Sequence, residues 1–152
     1  MAHFLRRNKN WLLLVAVMLA LAPGALAPYL AYLTPPPLEY PILPFTVETP
    51  VVKVGESPTI AFTRCNHEWR VMPYTTTRRL EDVNTGIMRV LDTSTNLIQP
   101  GCETVKARGL FVPRGTPPGR YRITGISEAQ GAWRTVYVWL ETESFEVIDN
   151  DE

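Results

Sequence analysis

Residues 117–125 read Pro117-Pro118-Gly119-Arg120-Tyr121-Arg122-Ile123-Thr124-Gly125, and this stretch decides the fold class. Proline presets φ and glycine accepts left-handed backbone, so Pro117-Pro118-Gly119 marks a turn. Beyond it, Tyr121, Ile123 and Gly125 alternate with Arg120, Arg122 and Thr124. A period of two sends one set toward a core and the other toward water. The segment reads as a half-buried β-strand entered through a tight turn.

Working outward, turn signals recur at Val54-Gly55-Glu56, Asn84-Thr85-Gly86, Pro100-Gly101, Arg114–Gly119 and Gln130-Gly131. The runs between them are rich in β-branched and aromatic residues. They predict strands at Val51–Val54, Pro58–Cys65, Arg70–Val83, Ile87–Thr95, Glu103–Val112, Gly119–Ser127 and Ala132–Val147. No long helical period interrupts them. Seven short strands at this spacing predict an all-β, two-sheet Greek-key sandwich over about a hundred residues, enough for one core.

The Pro117-Pro118-Gly119-Arg120-Tyr121 turn resembles the opening of the penultimate strand in bacterial and phage immunoglobulin-like domains. The resemblance covers roughly Val51 to Ile148 and implies an immunoglobulin-like β-sandwich in which Tyr121 makes a corner contact. More loosely, the outline is similar to small membrane-anchored phage proteins of unknown function, which end in a segment like Thr142-Glu143-Ser144-Phe145-Glu146-Val147. That likeness brings no activity with it.

Upstream lies Trp11–Leu33, WLLLVAVMLALAPGALAPYLAYL, with no charged residue and about the length that crosses a bilayer. Arg6, Arg7 and Lys9 precede it and no acid does, which keeps the amino terminus in the cytoplasm and sends the remainder across. Ala20-Leu21-Ala22 and Ala25-Leu26-Ala27 offer cleavage sites for a removable signal peptide. Each is followed by proline, however, and apolarity continues to Leu33. The expectation is a basic cytoplasmic segment at 1–10 and an uncleaved signal-anchor helix at 11–33. Thr34–Pro44, TPPPLEYPILP, holds five of the fourteen prolines and predicts an extended spacer of roughly 30 Å. A sandwich at 45–148 and an acidic tail at 149–152 complete the chain.

Cys65 and Cys102 are the only cysteines. The immunoglobulin-like resemblance leads to a disulfide between the second and sixth strands, but these residues fall at the end of the second and the start of the fifth. In the constant-type arrangement those two strands pair antiparallel, which brings both positions within bridging distance. On the oxidising side of a membrane a structural disulfide is favoured.

Other chemistry is thinly represented. Cys65, His67 and Cys102 with Glu68 and Glu103 offer a C-x-H zinc pattern without a second paired motif. His67 is the only histidine after the apolar run, and no G-x-S-x-G, H-E-x-x-H or phosphate-cradling glycine motif occurs. Glu81-Asp82 and Glu141 with Glu143 read as solvated carboxylates. Neither catalytic residues nor a cofactor is expected. The net charge is zero, and Lys and Arg are too dispersed for a nucleic-acid footprint.

Two surfaces carry the binding expectation. Trp133, Tyr137 and Trp139 fall near one face of the last strand, with Val136, Val138 and Leu140 on the other, so one set is core and the other is either covered or a partner patch. Arg78, Arg79, Arg120 and Arg122 could line one sheet. The combined reading is a bacterial inner-membrane protein with its domain in the periplasm. It touches lipid through 11–33 and binds an unidentified envelope protein, in a phage-encoded role such as exclusion or lysis control. A structural subunit of a larger membrane or virion assembly is the alternative; a small metal-binding protein or hydrolase is disfavoured.

Overall fold

The computed structural model describes residues 33–108 and 110–149, together with Val17 and Gly24. The expected anchor at 11–33 lies outside the described residues apart from Val17, Gly24 and Leu33. Among the described residues no helix is long and apolar enough to cross a membrane. The chain divides into a unit ending at Pro35 and a second that begins at Pro36. The second unit is all-β.

Its ten strands are β1 (Leu38–Glu39), β2 (Thr46–Val47), β3 (Val51–Lys53), β4 (Thr59–Asn66), β5 (Met72–Asp82), β6 (Met88–Ile98), β7 (Gly101–Arg108), β8 (Gly119–Gln130), β9 (Thr135–Glu141) and β10 (Phe145–Ile148). Two sheets result. In the smaller, β4 is central, with β7 along one side and β1 and β2 in succession along the other. The larger runs β3-β10-β8-β5-β6, with β9 also on β8. β9 pairs residues 124–130 of β8 and β10 pairs residues 119–121, so the two follow each other along one edge. β3 and β10 are parallel.

Local chemistry sets the turns. After β5, the Asp82 carboxylate accepts the amides of Asn84 at 2.8 Å and Thr85 at 3.2 Å. The Asn84 bond, joined by Thr85, holds that carboxyl below its ordinary range. Gly86 then supplies the left-handed residue (φ 70°) that the turn needs. After β6, Gly101 (φ 98°) at the first position of β7 reverses the chain and takes it from the larger sheet to the smaller.

The inner faces share one core. Val47, Ile60 and Phe45 from the smaller sheet and its flank meet Tyr74, Leu80, Ile123 and Leu140 from the larger. Each such side chain contributes about 1.5–3 kcal/mol by leaving water. Phe45 and Phe62 stack at a centroid separation of 4.8 Å, and Tyr40 meets both edge-on at 5.1 and 6.1 Å. Tyr40 also reaches across to Ser127 Oγ at 2.8 Å, and Ser127 in turn meets Thr76 Oγ1 at 2.8 Å. Burial raises the Tyr40 phenol above its ordinary value.

Three sequence expectations need correction. The segment 34–44 is not a free spacer: Leu38 is fully buried, Tyr40 is buried, and β1 pairs with the end of β4. Proline does keep this segment off central positions, since β1 has two residues and lies only on β4. The expected strand at 132–147 is two strands. Thr142 Oγ1 takes the Ile123 amide at 3.0 Å, while its own amide goes to Ile123 O. That exchange interrupts the ladder before β10. The expected strand ending at Val112 stops at Arg108. Leu110 and Val112 are buried from a loop, with Val112 exchanging backbone bonds with Gly55 and Glu56.

Candidate binding surface

β8 and β9 decide where the aromatic residues point. Val136, Val138 and Leu140 of β9 lie opposite Ala129, Ser127 and Gly125 of β8 and face the core. Tyr137 and Trp139 therefore face outward, where they are 69% and 45% exposed. Register places Tyr137 beside Glu128 and Trp139 beside Ile126, and continues to Thr75 and Thr77 on β5, then Thr95 and Thr93 on β6. Hydroxyl pairs join the last two columns, Thr75–Thr95 at 3.0 Å and Thr77–Thr93 at 3.1 Å. The result is a patch of aromatic, aliphatic and threonine side chains across β9, β8, β5 and β6. Leu97, 65% exposed, stands at its corner on β6. Trp133 belongs to the loop before β9, not to the strand, and is 83% exposed.

Gly125 keeps this part of the sheet closed. A Cβ there would sit 2.4 Å from Thr77 O on the neighbouring strand, so only glycine lets β5 approach.

The four arginines do not act as one set. Arg78 faces inward and grips Asp92 with two bonds, 2.9 and 2.6 Å, and Ser94 Oγ at 2.8 Å. Alternation along β5 and β8 puts Arg79, Arg120 and Arg122 on the outer face with the aromatics. Arg122 lies between Glu81 (2.7 Å) and Glu141. The Glu81 bond, more than any other partner, holds its guanidinium pKa above the ordinary value. Glu81 and Thr124 are buried beneath this network although their strand positions face outward. Arg120 donates to Ser144 Oγ at 2.8 Å.

Cys65 and Cys102 lie directly opposite on β4 and β7, with sulfurs at bonding distance and Cα atoms 4.0 Å apart. The other groups of the C-x-H pattern are separately engaged. His67 Nε2 meets Glu39 at 2.8 Å, Glu68 accepts the Ala132 amide, and Glu103 accepts from Arg64 at 2.7 Å. Among the described residues no cluster suited to a metal ion forms. Glu143 accepts the Val47 amide and Glu141 holds Arg122, so these carboxylates do not form a pair with each other.

A cavity of about 60 Å³ opens between the sheets, lined mainly from β4, β5 and β6. Phe62, Tyr74 and Leu110 line its apolar part; Arg78, Ser94 and Asn96 line its polar side. Sequence reasoning missed this opening and the threonine columns. The signal for the columns was present as Thr75-x-Thr77 and Thr93-x-Thr95, which become one feature only when the register of β5 and β6 is known.

No protein-family model matches the chain, and no curated protein matches it. Solved structures similar to it include the alkylpurine DNA glycosylase AlkC of Pseudomonas fluorescens bound to DNA containing an abasic site analog. That pair has a TM-score of 0.46 and 15% identity over 75% of this chain and 31% of that one. A family 123 glycoside hydrolase from Clostridium perfringens gives 0.43 and 12%, over 69% and 23%. Neutral ceramidase from Pseudomonas aeruginosa gives 0.39 and 17%, over 68% and 19%. The chain spans less than a third of each of these proteins, and likenesses at these scores carry no functional argument.

Proposed function

We propose that this chain is a membrane-anchored, extracytoplasmic binding module whose outward sheet face takes a protein partner. In this reading Trp11–Leu33 is a single-pass anchor with the amino terminus in the cytoplasm, and an immunoglobulin-like sandwich stands on the far side. In a bacterium that compartment is the periplasm.

The observation that carries the binding role is the outward pair Tyr137 and Trp139, set on rigid β9 amid Ile126, Thr77 and Thr93. Large apolar groups that form one contiguous exposed patch mark contact surfaces, and Tyr and Trp are the residues that most often anchor them. Arg79, Arg120 and Arg122 on the same face add polar groups at its margin. The Cys65–Cys102 pair supports an oxidising compartment.

Two features support the immunoglobulin-like assignment. The pairings β4 with β7 and β5 with β8 agree with the second-with-fifth and third-with-sixth pairings of that fold, and β9 and β10 follow on β8 as its last strand would, although β6 lies on β5 rather than on β7. Tyr121 Oη donates to Pro117 O at 3.0 Å, the backward bond of a tyrosine corner. A phage-encoded envelope role would suit such a module.

The test joins topology to contact. Alkaline phosphatase fused after Glu152 is expected to be active in a bacterial host. A photoreactive benzoylphenylalanine at position 137 or 139 is expected to give one discrete protein adduct in the producing cell, and the same group at exposed Thr46, on the outer face of the smaller sheet, is expected to give none. An inactive fusion overturns the compartment. Equal labelling from 137, 139 and 46 overturns the surface.

A further inference from the structure

The free edge of β7 is built to pair with another strand, and we propose that its occupant is β7 of a second copy of this chain, antiparallel across a two-fold axis. Two backbone bonds fix which groups face that edge. His67 N donates to Pro37 O and Glu48 N to Thr59 O, both on the β1/β2 side of β4. Odd-numbered residues of β4 therefore turn toward β1 and β2, and Ile60, Phe62, Arg64 and Asn66 bond to β7. Their partners are Ala107, Val105, Glu103 and Gly101. The backbone N–H and C=O of Cys102, Thr104 and Lys106 consequently point away from β4. The Cys65–Cys102 Cα separation of 4.0 Å agrees, because cross-strand neighbours this close are the pairs that do not bond to each other.

Nothing among the described residues occupies that side of β7, which pairs only with β4. Register along the pair is continuous for eight residues. β6, the other long edge, is blunted where its ladder shifts between Arg78 and Arg79, leaving Leu91 without an opposite residue. β7 has no such interruption and no proline. Charges are the usual guards of an edge, yet Glu103 is drawn back to Arg64, and Lys106 to Glu48 at 2.6 Å.

A second β7 meets these constraints. A two-fold axis through Thr104 sets Thr104 opposite Thr104, Cys102 opposite Lys106 and Glu103 opposite Val105. The outward backbone groups of Cys102, Thr104 and Lys106 in both copies then bond in pairs, and no like charges stand directly opposite. Inner faces stay on one side, so the smaller sheet continues unbroken from one copy into the next.

The test uses the full chain in detergent and reads its association state by sedimentation. Wild type is expected to dimerise at micromolar concentration. Thr104→Pro removes an outward N–H and leaves every β4 bond in place, so it is expected to fold and to weaken the dimer by at least about tenfold. Thr104→Ala is expected to dimerise like wild type. Lys106→Pro repeats the test at the next outward position. Val105→Pro is expected to unfold, since its N–H belongs to the ladder with Phe62. A monomeric wild type, or a Thr104→Pro dimer as tight as wild type, overturns the proposal. Unfolding of both outward proline variants overturns it too, because the edge assignment requires that they be tolerated.

Discussion

Tyr121 shows what one residue can establish. Its ring is buried and its hydroxyl closes on Pro117 O four residues back, tying the turn to the strand it opens. Tyr121→Phe keeps the ring and deletes the bond, leaving the Pro117 carbonyl to water. The expected loss is about 1 kcal/mol, the usual net value of one such bond, measured by urea unfolding with an unchanged slope. A loss several times larger would mean that the ring packs differently. The turn and the alternation of 120–125 were legible because both signals are local. The inward turn of Arg78 was not, because adjacent arginines in sequence give no sign of which will find an aspartate. That depended on Asp92, fourteen residues away on a strand whose register the sequence does not state.

At the scale of the element, the segment before Phe45 and the disulfide each fasten β4 to a neighbour. Proline density made 34–44 read as a spacer, and the composition argument was right about helix and central strand. It said nothing of Leu38, whose side chain is fully buried. Leu38→Ala is expected to cost about 3 kcal/mol, as for other buried leucines; a free spacer would lose nothing, and chemical denaturation separates the two. On the other side of β4, Cys65 and Cys102 close a loop of 37 residues. Replacing both by alanine is expected to lower stability by about 4 kcal/mol on the chain-entropy estimate, measured against the oxidised wild type. Strand existence was mostly legible from turn residues and β-branched runs. The break at Thr142 was not, since a threonine that takes another strand's amide looks like any strand threonine until that strand is placed.

For the whole molecule, core and candidate contact surface occupy opposite faces of one sheet, and this makes their energetics separable. Val136, Val138 and Leu140 carry β9's share of the core; Tyr137 and Trp139 carry none of it. Sequence pattern identified both faces as apolar but could not say which was inside, because alternation has no sign until a second sheet covers one side. With that side known, Trp139→Ala is expected to change unfolding free energy by no more than about 0.5 kcal/mol, the range of ordinary surface substitutions, while crosslinking from position 137 to the partner falls. Val138→Ala should do the reverse, lowering stability and leaving crosslinking intact in the folded fraction. Because Trp139 and Thr104 lie on different sheets, combining Trp139→Ala with Thr104→Pro should add their stability effects within experimental error. A deficit beyond that sum would show that the outward face and the β7 edge are coupled through the shared core, and that occupancy of one alters the other.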